Sequence, residues 1–145
     1  MNPKADDNVK SDAQIIIARA AIETGDEAKA KVAYAKVLAI AKGELAAEAL
    51  YYDAYFKNKE GKFEASNAAV QKIAKNYSSY KYFGAKGLIL MAKNFYGLKD
   101  SYQATYILEN VIQNFTDYPD VVSEAKTELN AIKTEEAKTN SSITK

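Results

Sequence analysis

The chain has 145 residues, 48% of them apolar, and a formal charge of +1 from 20 basic and 19 acidic residues. That length supports one domain with a real core, and the balanced charge without a long basic run gives no footing for a nucleic-acid backbone. There is no His and no Cys, which removes thiol nucleophiles, His-based catalysis, disulfides and zinc sites, so no enzyme activity, metal or cofactor is expected.

Residues 1–10 read as a polar leader to the fold, without the apolar run of a signal peptide. No stretch approaches the roughly 18 unbroken apolar residues of a membrane span, so no membrane insertion is expected. From residue 11 the chain repeats. Gly25, Gly61 and Gly97 lie 36 residues apart, and Ala13, Ala49 and Ala85 precede them at a common offset. Ile16, Tyr52 and Leu88 follow at the next matched position. Behind each Gly a second set matches: Ala30 with Ser66 and Ala104, Ala33 with Ala69 and Ile107, Val37 with Ile73 and Val111. Here the offset is 36, then 38, and the extra two residues are expected in the turn GLKDS, because turns absorb insertions cheaply.

Spacing of i, i+3, i+4, i+7 marks amphipathic helices. Each unit is therefore helix, Gly turn, helix and a short polar break: AKGE, NYSS and NFTDYPD. The units span about 11–42, 43–78 and 80–116. Ala104, Ile107, Leu108, Val111, Ile112 and Phe115 form the apolar face of the sixth helix, leaving Tyr102, Glu109 and Gln113 over. Asp100 or Ser101 is placed to cap that helix. Pro119 suits the first turn of a final helix over 119–135, and residues 136–145 read as a polar tail. The fold is thus expected to be all-α, with seven helices.

Helix pairs of about 36 residues, with a small residue inside the first helix, resemble the tetratricopeptide repeat. Ala85, Lys86, Leu88 to Met91, Lys99, Asp100, Gln103, Ala104, Thr105 and Leu108 resemble the last repeats of large envelope tetratricopeptide proteins of Bacteroidetes. VVSEAKTELNAI resembles their final helix. The resemblance covers residues 11–135 and is strongest over 80–130. It implies a right-handed superhelix with a concave surface for a protein or peptide partner. It also implies a longer exported parent in the periplasm or cell envelope. A cytoplasmic protein is the alternative.

Counted from the Gly turns, Arg19, Asn58, Met91 and Asn94 fall at first-helix positions that line the inner surface in that family. Tyr51 and Tyr55 share a helical face at i, i+4, and Tyr offers contact area plus a hydroxyl at small entropic cost. These six are the candidate partner-binding residues. Packing between helices is the competing reading for each Tyr, and solvated helix surface for the others. Glu44 and Glu48 read as solvated helix charges rather than an acid–base pair. GAKG at 84–87 lacks the spacing of a phosphate loop, and its small residues suit a close helix crossing. The alternative function is structural: capping of a longer solenoid, or self-association, with binding upstream.

Overall fold

Seven α-helices and no strand make up residues 3–144, the part of the chain that the computed structural model describes, with side chains described from 6 to 140. They are α1 (Pro3–Thr24), α2 (Glu27–Ile40), α3 (Gly43–Lys59), α4 (Phe63–Asn76), α5 (Lys81–Gly97), α6 (Ser101–Asn114) and α7 (Pro119–Thr144). Both end helices are longer than the apolar periodicity indicates. Most of the leader read over 1–10 lies in α1, and the tail read over 136–145 continues α7 as far as Thr144. Pro3 stands in the first turn of α1, where proline is well tolerated, and the tail opens with Glu136, Ala137 and Lys138, which favour helix on propensity alone.

Each helix packs on its neighbours in sequence, and α3 also meets α5, as α5 meets α7. The chain is thus laid out as three hairpins and a closing helix. Two small residues allow each hairpin to close. Ala18, Ala54 and Ala92 in the first helices are fully buried, as are Ala30, Ser66 and Ala104 in the second. In the middle hairpin the Ser66 hydroxyl donates to the Ala54 carbonyl at 2.7 Å, so the two helices touch where neither has a bulky side chain.

The register is 36 and then 38 residues in both helices of a hairpin. The left-handed residue of each turn is Gly25 (φ 78°), Gly61 (φ 76°) and then Lys99 (φ 69°), not Gly97. Asp26, Lys62 and Asp100 follow as N-caps, with Asp26 and Asp100 accepting from the amides of Lys29 and Gln103. All three turns are therefore alike, and GLKDS holds no insertion. The two extra residues sit in the break between α4 and α5. Tyr77–Tyr80 has four residues where Ala41–Lys42 has two, and Phe115–Tyr118 again has four. Gly97 closes α5 for another reason. A Cβ there would lie 2.6 Å from the Phe63 ring.

Three core clusters follow the hairpins. One joins Ile15, Tyr34 and Val37 to Phe56. The second holds Leu50, Tyr51, Val70, Ile73 and Leu90. The third holds Ile89, Leu108, Val111, Val121 and Leu129. Gly87 packs against Val70 and Ile73, where an added Cβ would meet Val70 at 3.1 Å, so this glycine serves a close crossing of α4 and α5; Gly84 meets nothing.

Candidate functional site

First helices carry the chain's most aromatic stretch, and their spacing decides where it points. Tyr51, Tyr52 and Tyr55 lie on α3, and Tyr82 and Phe83 on α5. A depression of about 330 Å³ opens between α1, α3 and α5. Arg19, Ile22 and Glu23 form one wall, Glu48, Tyr51 and Tyr52 the middle, and Tyr82, Phe83 and Lys86 the other wall. Tyr34 reaches in from α2.

The α1 wall is held by charge. Arg19 donates through Nε to Glu48 Oε2 at 3.0 Å and through Nη2 to Oε1 at 2.6 Å. The Tyr34 hydroxyl donates to the same Oε2 at 2.7 Å. Glu48 keeps only 7% of its side chain exposed, so the expectation of a solvated carboxylate is corrected. A buried carboxylate needs such partners to offset its lost hydration. Hydrogen bonding to Glu48 raises the Arg19 guanidinium above its ordinary value. Burial first, and the bond to Glu48 second, push the Tyr34 hydroxyl far up. Tyr34 stacks on Tyr52 with centroids 4.2 Å apart, and Tyr52 meets Tyr51 edge-on at 5.0 Å.

On the opposite wall, Lys86 Nζ lies 5.1 Å from the Tyr51 ring centroid and 5.8 Å from that of Tyr82. Cation–π contact favours an ammonium there. Lys86 forms no ion pair among the described residues, although its charge is felt by the Asp120 carboxylate nearby. The Tyr82 hydroxyl donates to Asp120 Oδ2 at 2.8 Å, and burial together with that bond pushes it up to about 12. The arrangement offers a ring-lined surface with an unpaired cation at one side, suited to an apolar group beside a carboxylate.

Of the six candidates, only Arg19 and Tyr51 line this depression. Tyr51 is buried, with 6% of its surface exposed. Tyr55 is half-buried, donates to Glu27 Oε1 at 3.1 Å and lies under Lys59. Met91 is half-buried against the second core cluster. Asn94 is fully buried, not on the surface. It donates to Ser66 Oγ at 2.8 Å and to Asn67 Oδ1 at 2.9 Å, and accepts from Asn58 Nδ2 at 2.8 Å. Asn58 and Asn94 thus form a polar bridge between hairpins. Counting from Gly97 placed Asn94 beside Asn58 in register. Counting from Lys99 matches it to Phe56, a core position.

Glu48, Tyr34, Tyr82, Phe83 and Lys86 were not among the candidates. The Arg19–Glu48 pair spans 29 positions, and no local pattern signals it. The aromatic run at Tyr80–Phe83 was the available sign for the far wall. A larger depression, about 420 Å³, lies along Ile73, Tyr77, Leu88, Phe115 and Tyr118, between the two longer breaks; it contains none of the six candidates. Among the described residues no helix is long and apolar enough to cross a membrane. No protein-family model matches the chain, and no curated protein shows significant similarity to it.

Proposed function

We propose that this chain is a non-catalytic protein-interaction scaffold of tetratricopeptide type, and that the groove along α1, α3 and α5 receives a segment of a protein partner. The single observation that carries the reading is the ring-lined depression with Lys86 unpaired above Tyr51 and Tyr82. Peptide recognition by a groove needs apolar anchors and a few placed polar groups. The bound segment would set an aliphatic or aromatic side chain against Phe83 and Tyr82 and a carboxylate near Lys86. The meeting of α3 with α5 and of α5 with α7 suits a right-handed superhelix in which first helices line the inner side. Following the resemblance, the reading extends to a longer exported parent in the cell envelope.

Selection of peptides from a displayed random library on the whole chain tests this. Enriched peptides should share an acidic residue next to a large apolar one. Lys86→Glu should weaken them by about tenfold, near 1.4 kcal/mol, with an unchanged helical circular dichroism spectrum. Tyr102→Ala, on an exposed part of α6, should leave them unaffected. Peptides that bind equally well after Lys86→Glu would overturn the groove reading.

A second reading, that the repeats close the end of a longer solenoid, draws on α7. It covers α6 with Val121, Ala125, Leu129 and Ile132 buried, while Lys126, Thr127, Asn130 and Thr134 face water. Terminal repeats with a polar outer face are what a solenoid end requires.

A further inference from the structure

We propose that the depression of about 420 Å³ between the two four-residue breaks is a binding site for a short peptide with both ends free and large apolar side chains. The volume lies in the range of small-molecule sites, roughly 300–1,000 Å³. Departures from the repeat create it. Between the first two hairpins the break is two residues long, and Ala46 and Leu50 of α3 are buried, at 1% and 6% exposed. Their counterparts at the register of 38 are Gly84 and Leu88 of α5, both half-buried and both lining the depression. Tyr77 and Ser78 join them from the longer break. Nothing in the fold calls for glycine at 84. Its φ is not positive, and a Cβ there would meet nothing within 4 Å, while glycine inside a helix is disfavoured against alanine. What the missing side chain leaves is room in the depression, and letting a ligand approach the backbone is a recognised use of glycine.

The lining selects the class of ligand. Val70, Ile73 and Leu88, with the rings of Tyr77, Phe115 and Tyr118, offer contact to an apolar body. The two charged residues that line the same depression, Lys81 and Asp117, are of opposite sign. Neither forms an ion pair among the described residues, with the other or with a third group. A ligand with a carboxylate alone would meet Lys81 and be opposed by Asp117, and one with an ammonium alone would meet the reverse. A short peptide with free ends carries both charges on an apolar body, so its charge pattern complements that of the site. Ser78 and Asn114 also line the depression and are at hand for the peptide group, as the few polar groups of a small-ligand site are. No lining residue is shared with the groove along α1, α3 and α5, so this site stands or falls apart from that one.

Titration of the whole chain with the dipeptide leucyl-phenylalanine, followed by NMR, tests this. The amide resonances of Gly84 and Phe115 should move at millimolar peptide, and that of Arg19, on the α1 wall of the other groove, should not. Acetylating the amino end or amidating the carboxyl end should each weaken binding about threefold to fivefold, as loss of an exposed ion pair does. The losses should also be specific. Lys81→Gln should weaken the free dipeptide and its N-acetyl form and leave the amide unchanged, whereas Asp117→Asn should weaken the free dipeptide and the amide and leave the N-acetyl form unchanged. Gly84→Leu should abolish binding while holding or raising the melting temperature, since the new side chain enters open space and leucine favours helix. No movement at millimolar peptide would overturn the proposal. So would a doubly blocked dipeptide that binds as well as the free one, which would point instead to an apolar segment within a longer chain, or a folded Gly84→Leu chain that still binds.

Discussion

Asn94 shows how one side chain is committed. Its amide donates twice and accepts once inside a region without solvent, and no buried side-chain nitrogen or oxygen lacks a partner among the described residues. Asn94→Ala strands Asn67 and opens a cavity. It should cost about 2–3 kcal/mol, read as a lower urea midpoint at constant slope. Asn58→Ala should cost less than about 1 kcal/mol, because half-buried Asn58 leaves its partner the other bonds. If the two variants proved equal, Asn94 would not be the hub. The sequence alone does not rank these asparagines. Both are polar residues in a helical pattern, and what distinguishes them is a neighbour 27 or 28 positions away. Tyr51 was legible as aromatic and helical, yet its burial depends on Phe83 from another hairpin.

At the scale of elements, apolar spacing was enough to find all seven helices, since each second helix needs one buried stripe. Helix ends were less legible, because among the residues whose side chains are described α1 before Ser11 and α7 after Ile132 contribute no buried apolar side chain. Turns misled in one place. Glycine recurs at 36, but of Gly25, Gly61 and Gly97 the first two alone supply positive φ. Lys99 adopts that backbone with a Cβ, at a cost that glycine avoids. Lys99→Gly should therefore gain about 0.5–1 kcal/mol. Gly97→Ala should lower the melting temperature, because the Phe63 ring lies where the new methyl would go. A Gly97→Ala chain as stable as the parent would show that Phe63 swings away freely.

At the scale of the whole molecule, tyrosine burial sets the alkaline limit. The hydroxyls of Tyr34, Tyr51, Tyr52 and Tyr82 are all raised, with burial the first cause in each case. The folded state thus holds these protons more tightly than the unfolded chain does, where Tyr titrates near 10. Their contribution is complete below about pH 10 and is lost as pH rises through the folded values, about 12 for Tyr82. Thermal melts should show stability level in this respect up to about pH 10 and falling beyond it. Tyr82→Phe should make that decline shallower; an unchanged slope would mean Tyr82 does not contribute. The same pair acts in the opposite sense in acid. The bond from Tyr82 holds Asp120 below its usual carboxylate value, so its contribution is present above that usual value and lost as pH falls through the folded one.

The asparagine bridge has a further consequence, for motion. Repeat arrays tend to open unit by unit, because each unit touches only its neighbours. Here α3, α4 and α5 share one buried polar knot through Ala54, Asn58, Ser66, Asn67 and Asn94. Separating the second hairpin from the third exposes several unsatisfied groups at once, whereas α1 leaves by breaking its packing on α2 and one ion pair, whose Arg19 end is already exposed though Glu48 is buried. Opening therefore starts at the α1 end and stalls at α3. Amide hydrogens would divide into a quickly exchanging first hairpin and a slow block from α3 to α5, with the boundary falling at Ala41–Lys42, the shortest break between hairpins.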